Sequence, residues 1–167
     1  AEDSQSRIHR LQARAIVKWN VPSELPDPFS GMFSAGVLPG LTAYPLFKSG
    51  ELNWNPGVAI LGSSNRAFRF GSELLESGCA EVFIVEPLAQ WGGKRYAGWE
   101  VEKRRFEALG GKLIEAAPLS LTQKSAWIWE FRIQDSKGVR LLEVSRVVTF
   151  GPFKKTEPVR EYPPGSL

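Results

Sequence analysis

The feature that most restricts this chain is the spacing of two short apolar runs. Val58-Ala59-Ile60-Leu61 is continuous and ends in Gly62; Val82-Phe83-Ile84-Val85 is a second run, closed by Glu86-Pro87. Four apolar residues without polar alternation are how a strand covered on both faces of a parallel sheet reads. Parallel neighbours need a crossover, and the intervening segment supplies a helix. From about Asn65 to Ser77, Ala67 and Gly71 fall four apart on one face, Phe70 and Leu74 form an adjoining pair, and Gly78 fits the stop. Strand, tight turn, helix and strand over about 30 residues make a βαβ unit with a right-handed crossover.

The flanks extend this unit. Downstream, a glycine-bearing loop (Gln90 to Gly98) leads to a second helix over Trp99–Leu109, stopped by Gly110-Gly111, and to a third short strand over Lys112–Glu115. Three strands suited to antiparallel pairing follow, at about Leu119–Gln123, Trp127–Gln134 and Val139–Val144, with a hairpin turn at Asp135-Ser136-Lys137-Gly138. Period two places Trp127, Trp129 and Phe131 on one face, expected to cover the parallel sheet. Arg146–Phe150 reads as a last sheet strand. Upstream, Leu11–Val17 suits a short strand, prolines break Asn20–Ser30, and a short helix near Leu41–Lys48 is limited by Pro45. The expectation is an α/β fold: a Rossmann-like three-layer domain, with a parallel sheet of βαβ units, an antiparallel β-meander and an irregular N-terminal arm. Its divisions are 1–50 for arm and connector, 51–151 for the dinucleotide-binding domain and 152–167 for an extended tail.

The turn after the first run carries the chemistry. Gly62-Ser63-Ser64-Asn65-Arg66-Ala67 sits where a G-x-G-x-x-G/A fingerprint belongs. Gly62 makes the tight turn and Ala67 supplies the small third position. Ser64 replaces the second glycine, adding a Cβ and a hydroxyl where a pyrophosphate approaches the backbone. The helix N-terminus still presents N–H groups and the positive end of its dipole. Glu86 lies 24 residues beyond Gly62, at the end of the second strand. An acid there accepts from ribose hydroxyls and repels a 2′-phosphate, favouring NAD over NADP. Lys94 and Arg95, in the following loop, argue the other way. The candidate cofactor-binding set is therefore Gly62, Ser63, Ser64, Asn65, Arg66, Ala67, Glu86, Lys94 and Arg95.

Other chemistries lack residues. Cys79 is the only cysteine and His9 the only histidine, which excludes an internal disulfide and disfavours a Cys/His metal site or a Ser-His-Asp triad. No catalytic residue and no metal ligand are assigned. The net charge is +3, and the densest basic run, Lys103-Arg104-Arg105, is interleaved with Glu100, Glu102 and Glu107. That pattern is a solvated helix face rather than a nucleic-acid surface. No apolar run reaches the roughly 20 residues of a membrane span. The expected compartment is the cytoplasm, or outside the cell if Ala1 was left by a signal peptidase.

The segment from Gly36 to Pro87, with the Gly62 turn and Glu86, resembles the approach to and start of the NAD(P)H domain of FAD-dependent pyridine nucleotide-disulfide oxidoreductase-type flavoproteins. The resemblance is nearest the branch related to sarcosine oxidase α subunits and hydrogen cyanide synthase, and it covers roughly Leu11 to Gly151. In that family the NAD domain is inserted into an FAD domain. Ala13–Trp19 and Arg146–Gly151 resemble the strands that return to it. This chain departs from the pattern: the 167 residues hold no FAD fingerprint, Lys18-Trp19-Asn20 replaces an Ala-Thr-Gly-like turn, and Cys79 has no redox partner. The resemblance implies NAD(H) as ligand, with FAD only if a separate or missing FAD domain is present, and a flavin-domain or other protein as partner.

Three functions follow: an NAD(H)-binding domain of an oxidoreductase, redox-inactive without a flavin partner; a degenerate, non-catalytic nucleotide- or protein-binding module; and a self-sufficient enzyme. The third is disfavoured because no nucleophile, metal site or activated base is apparent. Fold alone does not choose between the first two.

Overall fold

The structure, a computed structural model, describes residues 29–87 and 98–150. Five strands form a parallel sheet: β1 (Val37–Pro39), β2 (Gly57–Leu61), β3 (Glu81–Glu86), β4 (Lys112–Glu115) and β8 (Arg146–Thr149). Their order across the sheet is β1-β8-β2-β3-β4. Three helices lie in the connections: α1 (Gly40–Ser49), α2 (Asn65–Glu76) and α3 (Trp99–Ala108). β5 (Ala117–Gln123), β6 (Trp129–Asp135) and β7 (Gly138–Val144) form a separate antiparallel sheet. This is the expected α/β architecture.

Strand alternation divides the apolar residues between two cores. Val58, Ile60, Val82, Ile84 and Val148 face the helices and join Ala43, Ala67, Phe68, Phe70 and Phe106. Ala59, Leu61, Phe83, Val85 and Val147 face the other way and join Leu121, Phe131, Ile133, Leu142 and Val144 of the meander. Both faces of β2 and β3 are covered, which is why these strands read as unbroken apolar runs. The basic run on α3 is an ion-paired surface: Lys103 with Glu107 at 3.6 Å, Arg104 with Glu100 at 3.7 Å, and Arg105 with Glu76 of α2 at 2.7 Å.

Gly71 shows why the small residues of α2 stand where they do. A Cβ built there would lie 2.8 Å from the Phe106 ring and 3.3 Å from Ile60. The glycine lets α2 sit against α3 and β2 together. Gly71→Val is expected to lower stability by about 1–3 kcal/mol through overpacking, read as a reduced urea midpoint with unchanged slope.

Two expectations need correction. Trp127 is not in β6. Lys124 N–H donates to the carbonyl of Ile128 at 2.9 Å, closing a turn, and the strand begins at Trp129. Period two cannot be carried back through a turn, so Trp129, Phe131 and Ile133 form the buried row and Trp127 is exposed. Val37–Ser49 is more than a connector, because β1 pairs with β8 and α1 packs in the helical layer. The helix expected near Leu41–Lys48 is α1, with Pro45 inside it removing one N–H from the ladder. The expected strand at Leu11–Val17, the family-like strand at Ala13–Trp19, Lys94, Arg95 and the tail lie outside the described residues.

Candidate functional site

The strand order reverses at β2. The chain proceeds from β2 to β3 and β4 on one side, while β8 returns on the other. In a doubly wound sheet, the crevice outside the strand ends at such a reversal is where ligands bind. The Gly62 turn lies there. Gly62 has φ 94° and donates to the carbonyl of Val85 at 3.0 Å, so β2 runs directly into the turn. A positive φ at this point is the reason for glycine.

Ser64 has a role that its place in the fingerprint conceals. It is the N-cap of α2, in extended conformation, and its Oγ accepts from the N–H of Ala67 at 3.2 Å. The first N–H groups of a helix have no acceptor within it, and the serine satisfies one of them. Ala67 is fully buried in the helical core, as close packing of helix on strand requires. Asn65 is half-buried at the helix start and Arg66 is exposed in the first turn.

The acid at the end of β3 reaches this turn. Glu86 Oε2 accepts from the Ser63 N–H at 2.8 Å. The same residue's carbonyl accepts from Ala116 at 2.9 Å, fixing the strand end against the start of the meander. The two halves of the motif, 24 residues apart in sequence, are thus joined by a direct hydrogen bond. Of the expected set, Gly62, Ser63, Ser64, Asn65, Arg66, Ala67 and Glu86 gather at the carboxyl ends of β2 and β3.

Two further residues stand here without having been read as site residues. Trp99 Nε1, from the start of α3, donates to the carbonyl of Ser63. Thr149 ends β8 opposite Leu61; it is fully buried and its Oγ1 has no hydrogen-bond partner among the described residues. The signal for Thr149 was its being a lone hydroxyl in the apolar run Val147 to Phe150. Cys79 is elsewhere, before β3, with its Sγ donating to the carbonyl of Trp54 at 3.2 Å. Burial pushes its thiol pKa up, the opposite of a reactive cysteine. Among the described residues, no group of three His, Cys, Asp or Glu side chains is arranged to hold a metal, and no helix is long and apolar enough to cross a membrane.

The reversal point thus combines a glycine turn at positive φ, a capped helix N-terminus, a carboxylate oriented from the neighbouring strand, and a buried hydroxyl with no partner among the described residues.

No protein-family profile and no curated protein matches the chain. Solved structures share its fold. A 2-naphthoyl-CoA reductase in complex with 2-naphthoyl-CoA aligns over 77% of this chain and 18% of its own, at TM-score 0.57 and 14% identity. A water-forming NADH oxidase from Lactobacillus brevis, bound to NADH, aligns over 72% of this chain and 26% of its own, at TM-score 0.52 and 14% identity. An FAD-dependent pyridine nucleotide-disulphide oxidoreductase from Desulfovibrio vulgaris aligns over 73% of this chain and 31% of its own, at TM-score 0.52 and 16% identity. The chain therefore spans less than a third of each of these proteins.

Proposed function

We propose that this chain is an NAD(H)-binding domain of a flavin-dependent oxidoreductase, with the hydride acceptor supplied by a flavin module. The observation that carries this reading is the hydrogen bond from Ser63 N–H to Glu86, which locks an acid beside a glycine turn at the sheet's reversal point. Gly62, Ser63 and the first turn of α2 would hold the pyrophosphate, and Glu86 the adenosine ribose. Thr149 would meet the ligand across the reversal point. The coenzyme supplies a hydride, and this chain's residues bind and orient it. Three solved proteins of the same fold support the reading, one of them bound to NADH and one FAD-dependent.

Calorimetric titration with NADH, NADPH and FAD tests it. NADH is expected to bind more tightly than NADPH, because the Glu86 carboxylate repels a 2′-phosphate. Glu86→Gln should narrow the gap by about tenfold, near 1.4 kcal/mol. Tight NADPH binding without NADH binding would overturn the role given to Glu86. The purified chain by itself should transfer no electrons from NADH to quinone or dye acceptors, since its only thiol is a single buried cysteine. Acceptor-dependent NADH oxidation that survives further purification would show otherwise.

A second reading, a non-catalytic module, is favoured by one feature. Glu86 occupies the Ser63 N–H and Ser64 caps α2, so the turn satisfies part of its own hydrogen bonding. Failure of all three nucleotides to bind would select this reading.

A further inference from the structure

At the end of the sheet opposite the Gly62 turn, β8 opens on a charged residue. Arg146 pairs its backbone with Val58 and is only 9% exposed. Its Nη1 donates to the carbonyl of Ser145, and Trp127 lies against the guanidinium with its ring centroid 5.9 Å away. No carboxylate of the described residues reaches Arg146 within ion-pair distance. Arginine is rarely this buried without a paired acid. Burial lowers its pKa, and no opposing charge of the described residues offsets the effect. A guanidinium has five N–H donors, and one bond to its neighbour's carbonyl leaves most of that capacity unused.

The surroundings restrict what could complete the site. Lys124, on the same turn as Trp127, is already shared between Glu130 at 3.2 Å and Glu143 at 2.8 Å. Arg132 also holds Glu130, at 3.1 Å, so both glutamates are paired to cations other than Arg146. A carboxylate on an apolar body matches both the guanidinium fork and the indole beside it, whereas inorganic phosphate offers the indole nothing apolar. Trp127 is 60% exposed, so an apolar surface adjoins the cation.

We propose that Arg146 and Trp127 form a carboxylate-binding site, with the guanidinium fork taking the two oxygens and the indole covering the apolar body that carries them. The carboxylate belongs either to a free organic acid or to an acidic residue of a polypeptide, and the fork recognises the same group in both. This inference is independent of the nucleotide site at the other end of the sheet.

The test follows the indole N–H signal of Trp127, assigned with Trp127→Phe, in the whole chain by nuclear magnetic resonance. The probes are benzoate, a blocked Gly-Glu-Gly peptide, benzamide and inorganic phosphate. A saturable shift is expected with a carboxylate, at least about tenfold weaker with benzamide and phosphate, and absent in Arg146→Met. Saturation by benzoate with a weaker peptide assigns a free acid; the reverse order assigns a polypeptide. Thermal unfolding gives a second readout. Arg146→Met should melt higher than the parent, because an uncompensated buried cation is removed, and should lose the rise in Tm that benzoate gives the parent. Arg146→Lys keeps the charge without the fork and should bind at least about tenfold more weakly. No saturable response to either carboxylate, an equal response in Arg146→Met, or a response to phosphate as strong as to benzoate would overturn the proposal.

Discussion

Replacing Phe131 with alanine is expected to lower the unfolding free energy by roughly 3–5 kcal/mol, the range for removing a fully buried phenylalanine from a core. Phe131 has no exposed surface. It is central in the meander, paired in register with Leu121 on one side and Leu142 on the other. Its ring meets Phe29 at 5.9 Å, and the cluster around it includes Leu61, Val85 and Val147 of the parallel sheet. A three-stranded sheet needs a covered apolar face to persist, and Phe131 is at the centre of that cover. Against a total stability of about 5–15 kcal/mol, the loss is a large fraction. Urea unfolding measures it, and amide exchange should show the meander losing protection before β2 and β3. Trp127→Ala is the contrast. Its side chain is largely exposed, so its effect should stay within about 0.5 kcal/mol. Similar costs at the two positions would contradict the assignment of Trp127 to the turn.

These two aromatics also mark what could be read before the structure was known. β2, α2 and β3 were legible because three signals agree over a short span: two apolar runs, a helical spacing of small and large residues, and Gly62 and Gly78 as punctuation. Local information is enough when turn, helix and partner strand are all adjacent in sequence. β1 was not legible. It has three residues, one of them Pro39, and exists through pairing with β8, more than a hundred residues away. Alternation in the meander was legible from Trp129 onward, and the error at Trp127 came from extending a period into a turn that the hydrogen bonds of Lys124 and Ser125 to Ile128 define. The site shows the same division. Gly62 and Ala67 were placed by their local requirements and Glu86 by its distance from the turn. The Glu86–Ser63 hydrogen bond, the buried Thr149 hydroxyl and the Trp99 contact arise from strands and helices meeting at one end of the sheet, which spacing does not encode. Ser64 was legible as a departure from the fingerprint. Its second role, as N-cap, required the helix boundary.

Replacing Gly62 with valine is expected to abolish measurable NADH binding, a fall of about a hundredfold or more, equivalent to about 2.7 kcal/mol. The cause is conformational. Gly62 holds φ at 94°, where a β-branched residue is an outlier and where strain of order 1–3 kcal/mol is typical of a side chain. The turn can relieve that strain only by moving. Its neighbours leave little freedom: Gly62 N–H is bound to Val85, Ser63 N–H to Glu86, and the Ser63 carbonyl to Trp99. Any shift that accommodates valine must break one of these bonds or displace the start of α2. The bond to Glu86 is the one whose loss reaches the site directly, because it joins the turn to the acid at the end of β3. Binding and stability should therefore fall together in Gly62→Val. Gly62→Asn separates the two effects, since asparagine tolerates positive φ better than other side chains while still adding a Cβ at the turn. The asparagine variant should recover most of the lost urea midpoint and still bind NADH far more weakly than the parent. If both variants fold and bind NADH as the parent does, the ligand does not lie on the Gly62 turn, and the binding role given to the turn and to Glu86 must be withdrawn.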